Sequence, residues 1–272
     1  MTAVSEVESL RNLLREEGLG SALPLPVDKN HPPAPTGFAT LDALLGGGIP
    51  RGQITELVGQ ASSGRTSVTF AIVAEATARG EVAAYIDATD SLDPRSAQRA
   101  GIALDRLLWV RCGSQVSGDR YQVAGRSQVP GSEVPGTRIP DTRHMKPGTR
   151  ASPAWQAVNL VASAGGFGVI VLDLGGVTKR KLREWQSRQW LRLRRAIEHS
   201  PTTLVILASE HLASSVSALV LEIARENTRW EGAPNVSLWL SGISAKVRVA
   251  HQRKSAHQDA GLQRTCSLGI GE

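Results

Sequence analysis

The chain has 272 residues, 41% of them hydrophobic and 21% charged, with a formal net charge of +6. That supplies one sizeable α/β core and excludes a disordered or fibrous chain, while the positive balance fits either an anionic partner or a solvated, arginine-rich surface. Two distant cysteines, Cys112 and Cys266, and six histidines without ligand spacing exclude a disulfide framework and a zinc cluster, which fits a cytoplasmic setting.

From the amino end, Met1 to Glu6 carries neither a basic segment nor an apolar run, so neither a signal peptide nor a membrane span is expected. Ser5-Glu6-Val7-Glu8 predicts a capping box opening a short helix within residues 1–20. Val7, Leu10, Leu13 and Leu14 fall on one face, and Gly18 and Gly20 end it. Prolines at 24, 26, 32, 33 and 35 predict an extended linker over residues 21–36. Residues 37–272 then form the core domain. Gln53 to Val58 reads as a strand and Thr66 to Arg79 as a helix stopped by Gly80.

Between them, Gly59-Gln60-Ala61-Ser62-Ser63-Gly64-Arg65-Thr66 has the spacing of a phosphate-binding loop, G-x-x-x-x-G-K-[ST], with arginine in the lysine position. Glycines let such a loop curl, and successive amides and the helix N-terminus point at an anion. The candidate nucleotide-binding residues are Gly59, Ser62, Ser63, Gly64, Arg65, Thr66 and Ser67. Arg65 keeps the charge, but a planar guanidinium does not replace a compact ammonium at such a site. ATP with magnesium is therefore expected to bind weakly or not at all.

Leu107 to Arg111 reads as a further core strand. Residues 113–152 are rich in proline and glycine and poor in large apolar residues, which predicts a flexible, mildly basic surface insertion. It is either a passive loop or a contact for nucleic acid. A helix follows from Pro153 to Ala164, then the strand Phe167 to Leu174. Asp173, near its end, is suited to cap the next loop. Lys179 to Arg195 reads as one helix with Leu182, Trp185, Gln189, Leu193 and Ile197 near one face. Arg180, Lys181, Arg188, Arg192 and Arg195 lie elsewhere around it. Two readings fit: phosphate contact with base stacking, or a core-packed helix with a basic solvent face. Thr202 to Ala208 and Leu219 to Ala224 read as strands joined by a short connection. Strands near 237–240, 246–250 and 265–268 read as an antiparallel tail, with Arg253 and Lys254 adding positive charge. The alternation predicts a doubly wound α/β fold, parallel in the centre.

Residues 37–112 resemble the RecA/RadA recombinase superfamily. The resemblance rests on Gly37 to Gly52 ahead of the loop, on Ser62-Ser63-Gly64-Arg65-Thr66, and on Tyr85 to Pro94. Phe167 to Leu174 resembles the superfamily's magnesium-site strand, which implies Asp173 as a magnesium ligand together with Thr66, the alternative to the loop cap. The resemblance implies a RecA-like sandwich, and it implies that Thr89 stands where the superfamily carries the glutamate that activates water. Threonine is no usable base at neutral pH. It also implies that Ser209-Glu210 lacks a phosphate-sensing glutamine, and that His211 to Ala218 replaces a long DNA-binding loop. The N-terminal helix is similar to the arm by which recombinases hold a neighbouring subunit; folding back on its own core is the other reading. Trp230-Glu231-Gly232-Ala233-Pro234 and Lys246 to Lys254 resemble the ImuA type, RecA-like accessory proteins of mutagenic DNA synthesis.

The implied function is a non-catalytic or weakly catalytic accessory role in DNA repair and SOS mutagenesis. Its partners would be a RecA-like recombinase and a Y-family-like translesion polymerase, with weak sequence-independent DNA contact through Arg180, Lys181, Arg188, Arg192, Arg253 and Lys254. The alternative is an active DNA-dependent ATPase forming filaments on single-stranded DNA, a reading that includes self-association.

Overall fold

The computed structural model describes residues 3–16, 31–113, 152–182, 187–213, 215–232, 239–253 and 265–270. Five short apolar runs form the parallel strands: β1 (Ile54–Val58), β2 (Ala83–Asp87), β3 (Leu107–Arg111), β4 (Val169–Asp173) and β5 (Thr203–Ala208). Every residue of β1, β2, β4 and β5 is buried, the pattern of strands covered on both faces. β6 (Leu219–Glu231) continues the parallel set beside β1, and β7 (Trp239–Gln252) and β8 (Thr265–Ile270) extend it antiparallel. The eight-stranded sheet has the order β3-β2-β4-β5-β1-β6-β7-β8.

Helices cover both faces. On one side lie α1 (Ala3–Glu16), α5 (Pro153–Ala164), α6 (Lys179–Leu182) and α7 (Ser187–Ile197). The opposite cluster gathers α2 (Ala39–Leu45), α3 (Arg65–Ala78) and α4 (Pro94–Arg99). Alternate residues of one strand feed the two layers: Ala84 and Ile86 face the first, Ala83 and Tyr85 the second. The fold is α/β and RecA-like, mostly parallel with antiparallel strands at the carboxyl end, as the sequence predicts.

Several expectations are corrected. α1 is already helical at Ala3, so Ser5 and Glu8 lie inside the helix rather than forming its cap. Leu14 is buried, Leu10 packs beside it, and Arg11 Nε donates to the Ala164 carbonyl at 3.1 Å. The apolar face of α1 thus covers α5 of its own chain and does not project as an arm. The expected linker ends early: Ala34 exchanges both backbone hydrogen bonds with Ile49 at 2.8 Å, and Thr36 is fully buried. Gly48 permits this approach, since a Cβ there would lie 2.1 Å from the Ala34 carbonyl oxygen.

Of the single helix expected over Lys179 to Arg195, the described parts, α6 and α7, are helical, and residues 183–186, and so Trp185, lie outside the described residues. Trp190, not Gln189, fills the buried face of α7. The strands expected near 237–240 and 246–250 are one strand, β7, which keeps its pairing with the long β6 across three register shifts. The insertion lies outside the described residues from 114 to 151; Ser152, at its edge, caps α5 by accepting the Trp155 amide at 3.3 Å. No helix among the described residues is long and apolar enough to cross a membrane.

Candidate functional site

The site is built where the parallel strands end. β1 runs into the loop 59–64, whose first residue is tied to the sheet by Gly59 N–H donating to the Ala208 carbonyl at 3.1 Å. Only glycine fits at 59: a Cβ would lie 2.4 Å from Ser63 Oγ and 2.5 Å from the Ile223 carbonyl oxygen. Ser62 (φ 59°) and Gly64 (φ 95°) are both left-handed and turn the chain into α3. The first bond inside α3 is Val68 N–H to Gly64 C=O at 3.0 Å, so the amides of Arg65, Thr66 and Ser67 precede the helical ladder. Ser63 is buried, and its hydroxyl has no hydrogen-bond partner among the described residues. Thr66 is exposed. The backbone is therefore shaped for an anion.

The side chains are arranged differently. The Arg65 guanidinium donates to the Gly59 carbonyl within its own loop and, at 3.0 Å, to the Gly175 carbonyl just beyond β4. Asp173, at the end of β4, is 6% exposed. Its Oδ2 accepts the Tyr85 hydroxyl at 2.6 Å and its Oδ1 accepts the Gly175 amide at 2.8 Å. Burial raises the Asp173 pKa, against the pull of those two donors. Burial, followed by the Asp173 charge, also pushes Tyr85 well above the usual phenol range.

Thr89 sits on the loop leaving β2. Fully buried Asp87 shapes that loop: Oδ1 accepts the amides of Thr89 at 3.2 Å and Ser91 at 3.0 Å, and Oδ2 accepts that of Leu92 at 2.8 Å. Thr89 Oγ1 lies 3.3 Å from Ser91 Oγ, and its side chain packs under Gly176, where a Cβ would approach Thr89 Cγ2 to 3.0 Å. Next to it, Asp90 pairs with Arg111, whose hydrogen bonds hold the Asp90 carboxyl below its ordinary range.

The side chains around the loop are engaged within the chain. A hard cation takes several oxygen ligands. Of the two candidate ligands, Asp173 has one donor on each oxygen and Thr66 is exposed. The cation beside the phosphate loop is bound to carbonyls, and the base position carries a hydroxyl. Asp173 acts as the cap of the following loop.

β5 leads through Glu210 into a short connection pinned from below. Glu56, fully buried on β1, accepts the amides of Leu212 at 2.9 Å and Ala213 at 3.1 Å and the Ser217 hydroxyl. Beside it, His211 Nε2 lies 3.1 Å from Glu222 Oε1, and Glu222 is also paired with Arg248. Sequence reasoning missed Glu56, Tyr85 and Gly175. A lone glutamate inside the apolar run of β1 was a readable signal; the other two carried none.

The candidate contact residues do not form one patch. Arg180, Lys181, Arg188, Arg192 and Arg195 are exposed on α6 and α7. Arg180 and Lys181 follow the carboxyl end of β4. Arg253 donates its amide to Ala218, beside the amino end of β6, a strand separated from β4 by β5 and β1. Lys254 lies outside the described residues. Trp190 is 2% exposed and packs edge-on against Trp155 at 5.6 Å, so it is core filling and not a stacking platform.

Residues 7–116 match the family described as RecA N-terminal domain. Protein RecA of Nitratidesulfovibrio vulgaris is 45% identical over 111 residues, 39% of this chain and 29% of that protein. Protein RecA of Clavibacter michiganensis is 44% identical over 103 residues, 37% and 28% of the two chains. Protein RecA of Thermus thermophilus is 51% identical over 75 residues, 27% and 22%. The matched part is thus under a third of the length of these curated relatives. With the sheet described above, these similarities support a place in the RecA-like superfamily.

Proposed function

We propose that this chain is a non-hydrolysing or weakly hydrolysing accessory protein of DNA repair, one that joins a RecA-like recombinase to a translesion polymerase assembly in SOS mutagenesis. The observation that carries the reading is the pairing of Thr89 with a committed Arg65. No described carboxylate stands at the base position to take a proton from water, and the loop's cation is spent on Gly59 and Gly175. The short connection after β5, fixed on Glu56, supports a protein that has given up a long DNA-binding loop. The exposed arginines of α7 and the 58% exposed Trp230 on the outer part of β6 are surfaces available to partners. The polymerase side of the proposal rests on the ImuA-type resemblance of the Trp230 and Lys246 to Lys254 segments.

The test has two arms. Steady-state ATP hydrolysis is measured with and without single-stranded DNA for the native chain and for Arg65→Lys. Neither should approach recombinase turnover, because the water still lacks its base. In the second arm the native chain is used to capture a purified recombinase and a Y-family-like polymerase. Robust DNA-stimulated hydrolysis, or failure to retain either partner, would overturn the proposal in favour of an active, filament-forming ATPase.

A further inference from the structure

The geometry points to Arg65 as an internal substitute for nucleotide: its guanidinium bolts the phosphate loop to the loop after β4, so these two segments stay joined with no ligand bound. The two carbonyls it reaches, those of Gly59 and Gly175, belong to segments far apart in the chain, one opening the loop that feeds α3 and one following Asp173. A guanidinium can do this because its donors form a rigid planar fork; an ammonium is a single point and cannot hold the same two acceptors in the same way.

The surroundings are cut to receive the fork. A Cβ at Gly175 would come within 2.5 Å of Arg65 Nη2 and 3.0 Å of Asp173 Oδ1, so the arginine lies where any larger residue at 175 would sit. The link continues inward. The Gly175 amide is held by Asp173, and Asp173 is held by the Tyr85 hydroxyl of β2. Gly176, the next residue, closes over Thr89. A single connected path therefore joins β1's loop, the β4 exit and the β2 exit. In a nucleotide-driven protein, ligand contacts bring such loops together and hydrolysis releases them. Here a side chain holds them, and the joined state carries no clock. It follows, resting on the accessory reading above, that partner association is indifferent to ATP and ADP.

The experiment is amide hydrogen exchange by mass spectrometry on the full chain, following peptides over residues 59–64 and 174–178. The samples are the native protein, Arg65→Lys, and Gly175→Ala, which keeps the arginine but displaces it. Each is run alone, with ATP and magnesium, and with ADP and magnesium. The native protein should give the same exchange in all three conditions. Both variants should exchange at least about tenfold faster in both segments, the factor expected for losing one charge-assisted hydrogen bond. A saturable slowing of the native protein by ATP and magnesium overturns the inference, as does unchanged exchange in the variants or a change in one segment only. Circular dichroism melts check that both variants fold; if one does not, the other decides. Partner capture repeated with ATP, ADP and no nucleotide gives the separate outcome: failed capture with the exchange pattern intact removes the accessory reading and leaves the bolt standing.

Discussion

Glu56→Ala should destabilise the chain strongly, although Glu56 touches no part of the phosphate loop. Its carboxylate is fully buried within β1 and accepts two backbone amides and one hydroxyl from the connection between β5 and β6. Truncation leaves the amides of Leu212 and Ala213 and the hydroxyl of Ser217 without their acceptor. A buried donor left unsatisfied costs about 1–3 kcal/mol. Ala213 and Ser217 are buried, while Leu212 is only half-buried and can turn to water, so two full penalties apply, for a loss of about 2–6 kcal/mol. In a domain of this size that lowers the melting temperature by roughly 10 °C. Glu56→Gln keeps the shape and one acceptor oxygen but presents an amide donor to groups that are themselves donors, and should recover about half of the loss. Thermal melts by circular dichroism give the first readout, and limited proteolysis across residues 209–218 the second. A Glu56→Ala protein melting within about 1 °C of native would refute the reasoning. The connection would then be held by Ala213 and Val216 in the core alone.

Two further outcomes follow from titratable groups. Burial raises Asp173 above its unfolded value, so the folded state binds the proton more tightly, and native stability falls as pH climbs from the ordinary carboxylate range through the raised value. Asp173→Asn removes that slope: melts from about pH 4 to about pH 8 should show its advantage over native growing to a plateau, and parallel curves would contradict this. Cys112 is pushed up to about 12, chiefly by burial and then by Asp87 and Asp90. Iodoacetamide at about pH 8 should therefore label Cys112 in the native chain much more slowly than in the unfolded chain, and equal rates at Cys112, read by peptide mapping, would contradict this.

The loop pattern at 59–66 was legible because its spacing is fixed by backbone geometry, and the structure keeps both left-handed turns that the pattern needs. The parallel strands were legible as uninterrupted apolar runs. Legibility stopped where a residue's role depends on a distant neighbour. That Asp173 would be met by Tyr85 is set by the adjacency of β2 and β4, and that Arg65 would turn to Gly175 by the placing of β1 and β4 on either side of β5. No local period encodes that order. The face of α1 was read correctly, while its destination stayed open between two readings, since an apolar stripe says that it will be covered and not by what. Trp190 shows the same limit inside one helix: the periodicity marks a buried face, while the choice between Gln189 and Trp190 is made by Trp155 on α5.

The placing of β1 has a consequence for how the chain comes together. Its two neighbours are β5 and β6, paired from Ile54 with Leu204 through Val58 with Ala208, and from Thr55 with Leu219 through Val58 with Glu222. Both lie about 150 residues downstream of the strand they flank. The stretch that matches RecA, 7–116, contains β1, β2 and β3, yet among its described residues the only strand pair is β2 with β3. The most recognisable part of the molecule is therefore not a unit of folding. During synthesis the phosphate loop would leave the ribosome attached to a strand with two bare edges, waiting for residues near 222. Closing so long a span is entropically costly and slow. What ancestry marks as a module, the sheet completes only from the far end of the chain.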